Sequence, residues 1–444
     1  MPVRTQQLDS DDGFTLVEVI VAMLIFTIIL TGFLYTMTAS LTSTRDTRAR
    51  VVAANLASQQ IDVLRSAGSA FDVTDSSRDI ELNGDTFHVK VLTDWITTAG
   101  VAASCEAGAT IASLAYNHVT VEVTWDNMRE GARPVYSDTN LTPRTKINDP
   151  TLGTVLVGVI NAAGTAVAGA KVSLTPSGGV AAATTDGDGC AYLLKVPPGD
   201  YTVTVSKADH VNEQQVAAPT AAVKVTAGGA SRISFAYDLA TKYNVAYAPG
   251  LPSDVHIPDK LTTSFLSSYG SFPMPSGTPS RAKTFSLFPV ASGYSILAGH
   301  YAETPANPIT HCLSPDPGQW HQEPTKVGQR PDAVAGAPGA VVNVAVPMVE
   351  VRLSGIKGSG NHLRAVYVPG GAGDPGCGVD TIYSFGSVIS SNAVKIALPY
   401  GSWELYRGNS TSQTTRIENG ISVPTNGSVN ATTGVVLLDP RVAP

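Results

Sequence analysis

The sequence predicts an α+β protein, in which a long N-terminal helix packs on a small antiparallel sheet and two to three β-sandwich modules follow. Three observations carry that expectation. All 29 prolines except Pro2 fall at or after Pro134. Between Phe14 and Ala67 there is no proline and only one glycine, Gly32. Beyond position 80 the chain breaks into short alternating apolar and polar runs, punctuated by Gly, Pro, Asn and Asp. A proline costs a helix interior about 3 kcal/mol and a glycine about 1 kcal/mol. The first stretch is therefore written as one helix and the remainder as strands and turns.

Composition sets the outer bounds. At about 100–200 residues per domain, 444 residues imply two to four domains. Only 15% of the residues are charged, against about 25% in an ordinary soluble domain. A net charge of −7 excludes a global basic field, so no nucleic-acid partner is expected. An apolar fraction of 43% excludes a disordered chain. Four cysteines are too few for a disulfide-dense scaffold, yet an even count permits two bridges.

The helix begins with FTLVEVIVAMLIFTIILTGFL, Phe14 to Leu34, whose only charge is Glu18. At 1.5 Å per residue the run spans about 31 Å, which matches a hydrocarbon core of about 30 Å. A retained membrane span is favoured over a cleaved secretory signal. The run exceeds the usual signal core of about 7–15 residues. The segment before it sets Arg4 against Asp9, Asp11 and Asp12, and no small-x-small cleavage site follows directly. A carboxylate at Glu18 costs at least ~2.5–3.5 kcal/mol inside such a span, so it is read as functional and in need of a partner. The competing reading is a side chain that snorkels to the interface one turn away.

Gly13-Phe14-Thr15-Leu16-Val17-Glu18, abutting an aliphatic run, resembles the class III signal of type IV prepilins and pseudopilins. In that family a membrane aspartyl peptidase cuts after the glycine and methylates the new N-terminal amine. The resemblance implies that residues 1–13 are a leader ending at Gly13 and that Phe14 is the mature N-terminus. Thr15, Leu16 and Val17 complete the signal, and Glu18 becomes the fifth mature residue, the family's assembly glutamate. The α-ammonium created at Phe14 would then pair with Glu18 of a neighbouring subunit and set axial register. Arg45, Arg48 and Arg50 lie on the far side of the span, where the positive-inside rule favours the opposite orientation. The body is nevertheless expected outside the membrane, because its cysteines and β-rich pattern read as exported.

Past the span, Ala49, Val52, Ala53, Leu56, Ala57, Gln60, Val63 and Leu64 recur at three- and four-residue spacing. This half should pack beneath a sheet, since the heptads are too few for a coiled coil. The helix, residues 14–66, is expected to end near Ala67-Gly68, where glycine suits a C-terminal cap. A β head is expected over residues 67–150. Its hairpin is Ile80–Leu82, Asn83-Gly84-Asp85 and Thr86–Val91, followed by the strand His118 to Trp125. A long helix followed by three or so antiparallel strands is the layout that the pilin resemblance implies.

Residues 151–240 resemble the carboxypeptidase regulatory-like, transthyretin-type Ig sandwich. The matching pieces are Val157-Gly158-Val159, Ala168-Gly169-Ala170-Lys171-Val172, Thr185-Asp186-Gly187-Asp188-Gly189 and Val196-Pro197-Pro198-Gly199-Asp200-Tyr201. Elsewhere this domain is a non-catalytic module. The corner recurs in Leu398-Pro399-Tyr400-Gly401-Ser402-Trp403 and, more loosely, from Phe288-Pro289 to Gly293-Tyr294. Two further β-modules are therefore expected, 241–340 and 341–444. Four cysteines allow three pairings; proximity in sequence favours Cys105 with Cys190, stapling head to first module, and Cys312 with Cys377.

The catalytic signals in the sequence are weak. His210-Val211-Asn212-Glu213 spells an H-x-x-E zinc signature, with His300, His311 and His321 downstream, but it lies in an accessory module and reads as surface loop. Asp186-Gly187-Asp188-Gly189 lacks the third oxygen ligand and distal glutamate of an EF-hand loop. No P-loop, G-x-S-x-G or H-E-x-x-H occurs. The expectation is a non-enzymatic minor pilin with no cofactor and no metal. Its partners would be other pilins, the prepilin peptidase, the assembly platform and the membrane, with surface glycans or a host ligand at the ornament. A secretion pseudopilin and a membrane-tethered adhesin that never polymerises are the alternatives. The chain is expected as a single-pass protein of the cytoplasmic membrane before assembly, and at the cell surface or in a pilus afterwards.

Overall fold

The computed structural model describes residues 16–67, 70, 73–102, 105, 114–129, 131–143, 149–275, 277, 280–303, 311–378, 381–390 and 392–442. The chain divides into two compact units. Unit 1 comprises Met1–Ala103 and Ala112–Asn148; unit 2 comprises Ser104–Ile111 and Asp149–Pro444.

Unit 1 starts with α1 (Leu16–Arg65), a single helix of 50 residues. Its two halves differ as their sequences do. From Leu16 to Leu41 its large apolar side chains are exposed, whereas Ala49, Ala53, Leu56, Ala57, Gln60 and Ile61 are buried. Small alanines in that arc let the helix approach a sheet closely. Val63, expected on the buried stripe, is instead 54% exposed; it lies off the edge of an arc that reaches round to Ile61. Past Arg65 the backbone tightens, and the Ser66 hydroxyl donates to the Val63 carbonyl at 2.6 Å.

The sheet is an antiparallel meander in the order β1 (Ser76–Leu82), β2 (Asp85–Thr97), β3 (Leu114–Trp125) and β4 (Val135–Leu141). It holds four strands where about three were expected, and β1 to β3 run longer than their apolar runs suggested. The extension arises because β1 pairs along its whole length with β2, from Leu82↔Asp85 to Ser76↔Val91, and polar residues suit that exposed edge. Asn83 and Gly84 both have positive φ, 56° and 83°, as a two-residue primed turn requires. Phe87, Val89 and Val91 on β2 and Val119, Val121, Val123 and Trp125 on β3 form the core against α1.

Unit 2 opens with a two-sheet sandwich. Its strands are β5 (Gly153–Ile160), β6 (Lys171–Thr175), β7 (Ala183–Thr184), β8 (Cys190–Val196), β9 (Gly199–Ser206), β10 (His210–Asn212), β11 (Thr220–Val225) and β12 (Ala230–Leu239). One sheet runs β10-β12-β5-β8 and the other β11-β9-β6-β7. Alternating valines at 155, 157, 159, 172, 203 and 205 fill the space between them. At the Pro-Gly corner the Tyr201 hydroxyl donates to the Pro197 carbonyl at 2.9 Å, tying the turn to its strand.

The remaining strands are β13 (Thr241–Tyr247), β14 (Thr262–Ser267), β15 (Gly270–Pro275), β16 (Ala282–Leu287), β17 (Ser295–Ala298), β18 (Val341–Val346), β19 (Val349–Leu353), β20 (His362–Tyr367), β21 (Ile382–Ser387), β22 (Val394–Leu398) and β23 (Gly401–Gly408), with four short ones after them. The expected division at 340/341 does not coincide with a break in the core. β18 lies parallel to β13 in register Lys242↔Val341 to Tyr247↔Val346, so strands from both expected modules share a sheet. One apolar cluster runs from Tyr243 through Phe265 and Tyr294 to Trp403 and Leu438.

Candidate anchoring and assembly site

The described part of the sequence-predicted signal, Leu16 to Glu18, opens the first helix. Gly13, Phe14 and Thr15 lie outside the described residues. Leu16, Val17 and Glu18 form the first turn of α1, all exposed, with Leu16 at 77% and Val17 at 68%. Glu18 shares a helix face with Ala22 and Phe26, at i+4 and i+8, and with Val19 and Met23 these line a shallow apolar groove. A carboxylate thus stands at the end of an apolar strip that no described residue of unit 1 covers.

Threonine hydroxyls in this half are satisfied within the helix. Thr27 donates to the Met23 carbonyl at 2.7 Å, Thr31 to Thr27 at 2.8 Å, Thr38 to Leu34 at 3.0 Å and Thr44 to Ser40 at 2.8 Å. A hydroxyl bonded back one turn brings no unsatisfied donor into hydrocarbon. Among the described residues α1 is the one helix long and apolar enough to cross a membrane.

A cavity of about 520 Å³ opens where the exposed half of α1 meets the head. One wall is the helix face carrying Tyr35, Arg45 and Asp46; the other is the end of β3 and its turn, Trp125, Asp126 and Arg129. Arg45 is paired with Asp85. Asp126 accepts from His88 Nε2 at 3.2 Å, while Asp79 meets the other ring nitrogen at 2.7 Å. The Asp79 hydrogen bond, then that to Asp126, raises the His88 pKa above 6.5, and His88 with Thr86 holds Asp126 below the usual carboxylate range. The Asp46 Oδ1 atom is buried without a hydrogen-bond partner. Sequence reasoning missed this cavity, because its two walls lie about 80 residues apart in the chain.

The cysteines pair as Cys105–Cys190 and Cys312–Cys377, with Cα separations of 5.6 Å and 3.7 Å, and no described cysteine is free. Cys105 groups with unit 2, packed beside Leu156. The residues set aside as chemistry are not gathered into a site. His210 contacts its own Ala208 carbonyl at 2.7 Å and stacks near Tyr237. Asp186 Oδ1 accepts from the Asp188 and Cys190 amides at 3.1 and 2.8 Å, the bonding of a tight turn. Among the described residues no group of three or more His, Cys, Asp or Glu could hold a metal ion.

A family model of the prokaryotic N-terminal methylation motif matches residues 9–34, and one of the carboxypeptidase regulatory-like domain matches residues 154–238. The chain carries both. No curated protein matches it. Among solved structures, the Bacillus anthracis TIE protein aligns at 12% identity and a TM-score of 0.20, covering 86% of this chain and 76% of that one. A streptococcal ancillary pilin aligns at 11% and 0.20, covering 52% and 75%. GBS52, the minor pilin of Streptococcus agalactiae, aligns at 15% and 0.20, covering 44% and 94%. Likenesses this distant do not identify a common whole-chain fold.

Proposed function

We propose that the chain is a minor pilin, cut after Gly13, methylated at Phe14 and built through α1 into a type IV pilus or pilus-like filament, with unit 2 displayed as a β-rich ornament. The observation that best supports this reading is the methylation motif over residues 9–34, which runs into a helix whose first half is exposed. Cleavage would leave an α-ammonium at Phe14, costly to bury alone. Glu18 of a neighbouring subunit offers the opposite charge at the same depth, and in a low dielectric the pair is far more favourable than either ion unpaired. That contact would fix axial register while the exposed apolar side chains from Leu16 to Leu41 pack on neighbouring helices. Before assembly the same surface would sit in the cytoplasmic membrane, with the β head of unit 1 and all of unit 2 on the outer side. Other pilins, the prepilin peptidase and the assembly platform are the partners this reading requires. The sandwich over residues 154–238 is assigned display, with surface glycans or a host ligand as its targets.

N-terminal sequencing of protein purified from membranes tests the processing step. The expected product begins at N-methylated Phe14; a chain still beginning at Met1 overturns the reading. In the same preparation Glu18→Ala should keep its membrane level but disappear from sheared filaments. Unchanged incorporation would remove the charge pair from the assembly mechanism.

A further inference from the structure

The cavity between α1 and the end of β3 is placed by charge spacing. The stretch from Val19 to Thr44 is uncharged, 26 residues bracketed by Glu18 and Arg45. At 1.5 Å per residue it spans about 39 Å, close to the 40–45 Å of a bilayer including both headgroup layers. If Glu18 lies at one headgroup layer, Arg45 lies at the other, and so does the cavity that Arg45 lines. Tyr35 is 76% exposed at the inner end of this zone, where an aromatic ring with a polar tip is favoured.

The lining has matched charges, Arg45 and Arg129 against Asp46 and Asp126. Two of these are engaged within the head, Arg45 with Asp85 and Asp126 with His88. The other two are unclaimed: Arg129 makes no ion pair among the described residues, and Asp46 Oδ1 is buried with no donor. Among the described residues, then, one unpaired cation and one unsatisfied acceptor share a cavity of about 520 Å³. Such a pair fits a ligand carrying both an anion and a hydrogen-bond donor.

We infer that this cavity binds the headgroup of a zwitterionic phospholipid with a primary ammonium, phosphatidylethanolamine, its phosphate on Arg129 and its ammonium on Asp46. The choice over phosphatidylcholine follows from Asp46. A buried oxygen lacking a donor is satisfied by N–H, which a quaternary ammonium does not have. The inference rests on the membrane-spanning reading of α1 but not on polymerisation.

The test is native mass spectrometry of the full chain, purified in detergent and offered equal amounts of phosphatidylethanolamine and phosphatidylcholine with identical acyl chains. One hydrogen bond to a charged group separates the two headgroups, so the expected preference is about tenfold for the ethanolamine lipid. Arg129→Gln should weaken retention of both lipids, since no described residue pairs with its side chain, and Asp46→Ala should abolish the preference. Equal retention of the two lipids by the wild-type chain overturns the inference, as does a preference unchanged in Asp46→Ala. Inorganic phosphate displacing the lipid as well as phosphoethanolamine does would also overturn it, because the ammonium would then contribute nothing. A chain that retains no phospholipid and leaves the membrane fraction on alkaline washing fails the anchoring reading instead.

Discussion

His88 sits on β2 directly across from Asp79 on β1, with Asp126 beyond the end of β3 closing its other side. Both carboxylates favour the protonated ring, and the His88 pKa is accordingly raised above 6.5, chiefly by the hydrogen bond to Asp79. A group whose folded pKa lies above its unfolded value contributes stability that is complete below the unfolded value. That contribution is lost as pH rises through the folded pKa. Asp126 has the opposite sign, since its folded pKa is lowered by His88, so its share is lost as pH falls through that value. The thermal midpoint of unit 1 should therefore fall modestly as pH rises from about 6.5, the unfolded histidine value. The fall should be absent in His88→Gln. An identical pH profile in the variant would show that the trio carries no stability. All three side chains are substantially exposed, so the effect should shrink with added salt.

At the scale of elements, what was legible depended on local period. The long helix, the Asn83-Gly84 hairpin and the alternating strands of the sandwich could be read because each is specified by residues a few positions apart. Glu18 is conspicuous without any structure as a single charge in an apolar run, and its role stays with the proposal. The sharing of one sheet by β13 and β18 could not. Their parallel pairing joins residues 99 positions apart, Lys242 with Val341, and no turn signal reports it. The cavity stayed hidden for the same reason, since its helical and strand walls meet only after folding. The head sheet offers a direct measure of how much its periodic core contributes. Val121 is fully buried between α1 and the flanking strands, while Val63 on the same helix–sheet layer is 54% exposed. Val121→Ala should destabilise unit 1 by about 2 kcal/mol, from lost transfer energy plus an unfilled cavity. Val63→Ala should cost less than about 0.5 kcal/mol. Urea unfolding in detergent would compare them, and equal losses would contradict the burial pattern.

Across the whole molecule, the chain passes between the two units more often than one linker requires. It leaves unit 1 after β2, contributes Ser104–Ile111 to unit 2, returns to unit 1 before β3, and leaves again at Asn148. Within that insert Cys105 is bonded to Cys190, and its carbonyl stands 2.5 Å from where a Cβ on Gly158 would be. Glycine at 158 thus gives the insert room against β5, which side-chain pattern alone does not reveal. The consequence is mechanical. An ornament joined to its anchor by one linker is lost when that linker is cut, whereas a bond from the β2–β3 insert to the sandwich supplies a second covalent path. A protease site placed at residues 144–148 should therefore cut the chain into two fragments that migrate as one on a non-reducing gel. They should separate only after reduction. Peptide mapping should recover Cys105 linked to Cys190, and fragments that part without reductant would refute the second path. If the chain is built into a filament as proposed, that path would keep unit 2 attached under shear after a break between residues 144 and 148.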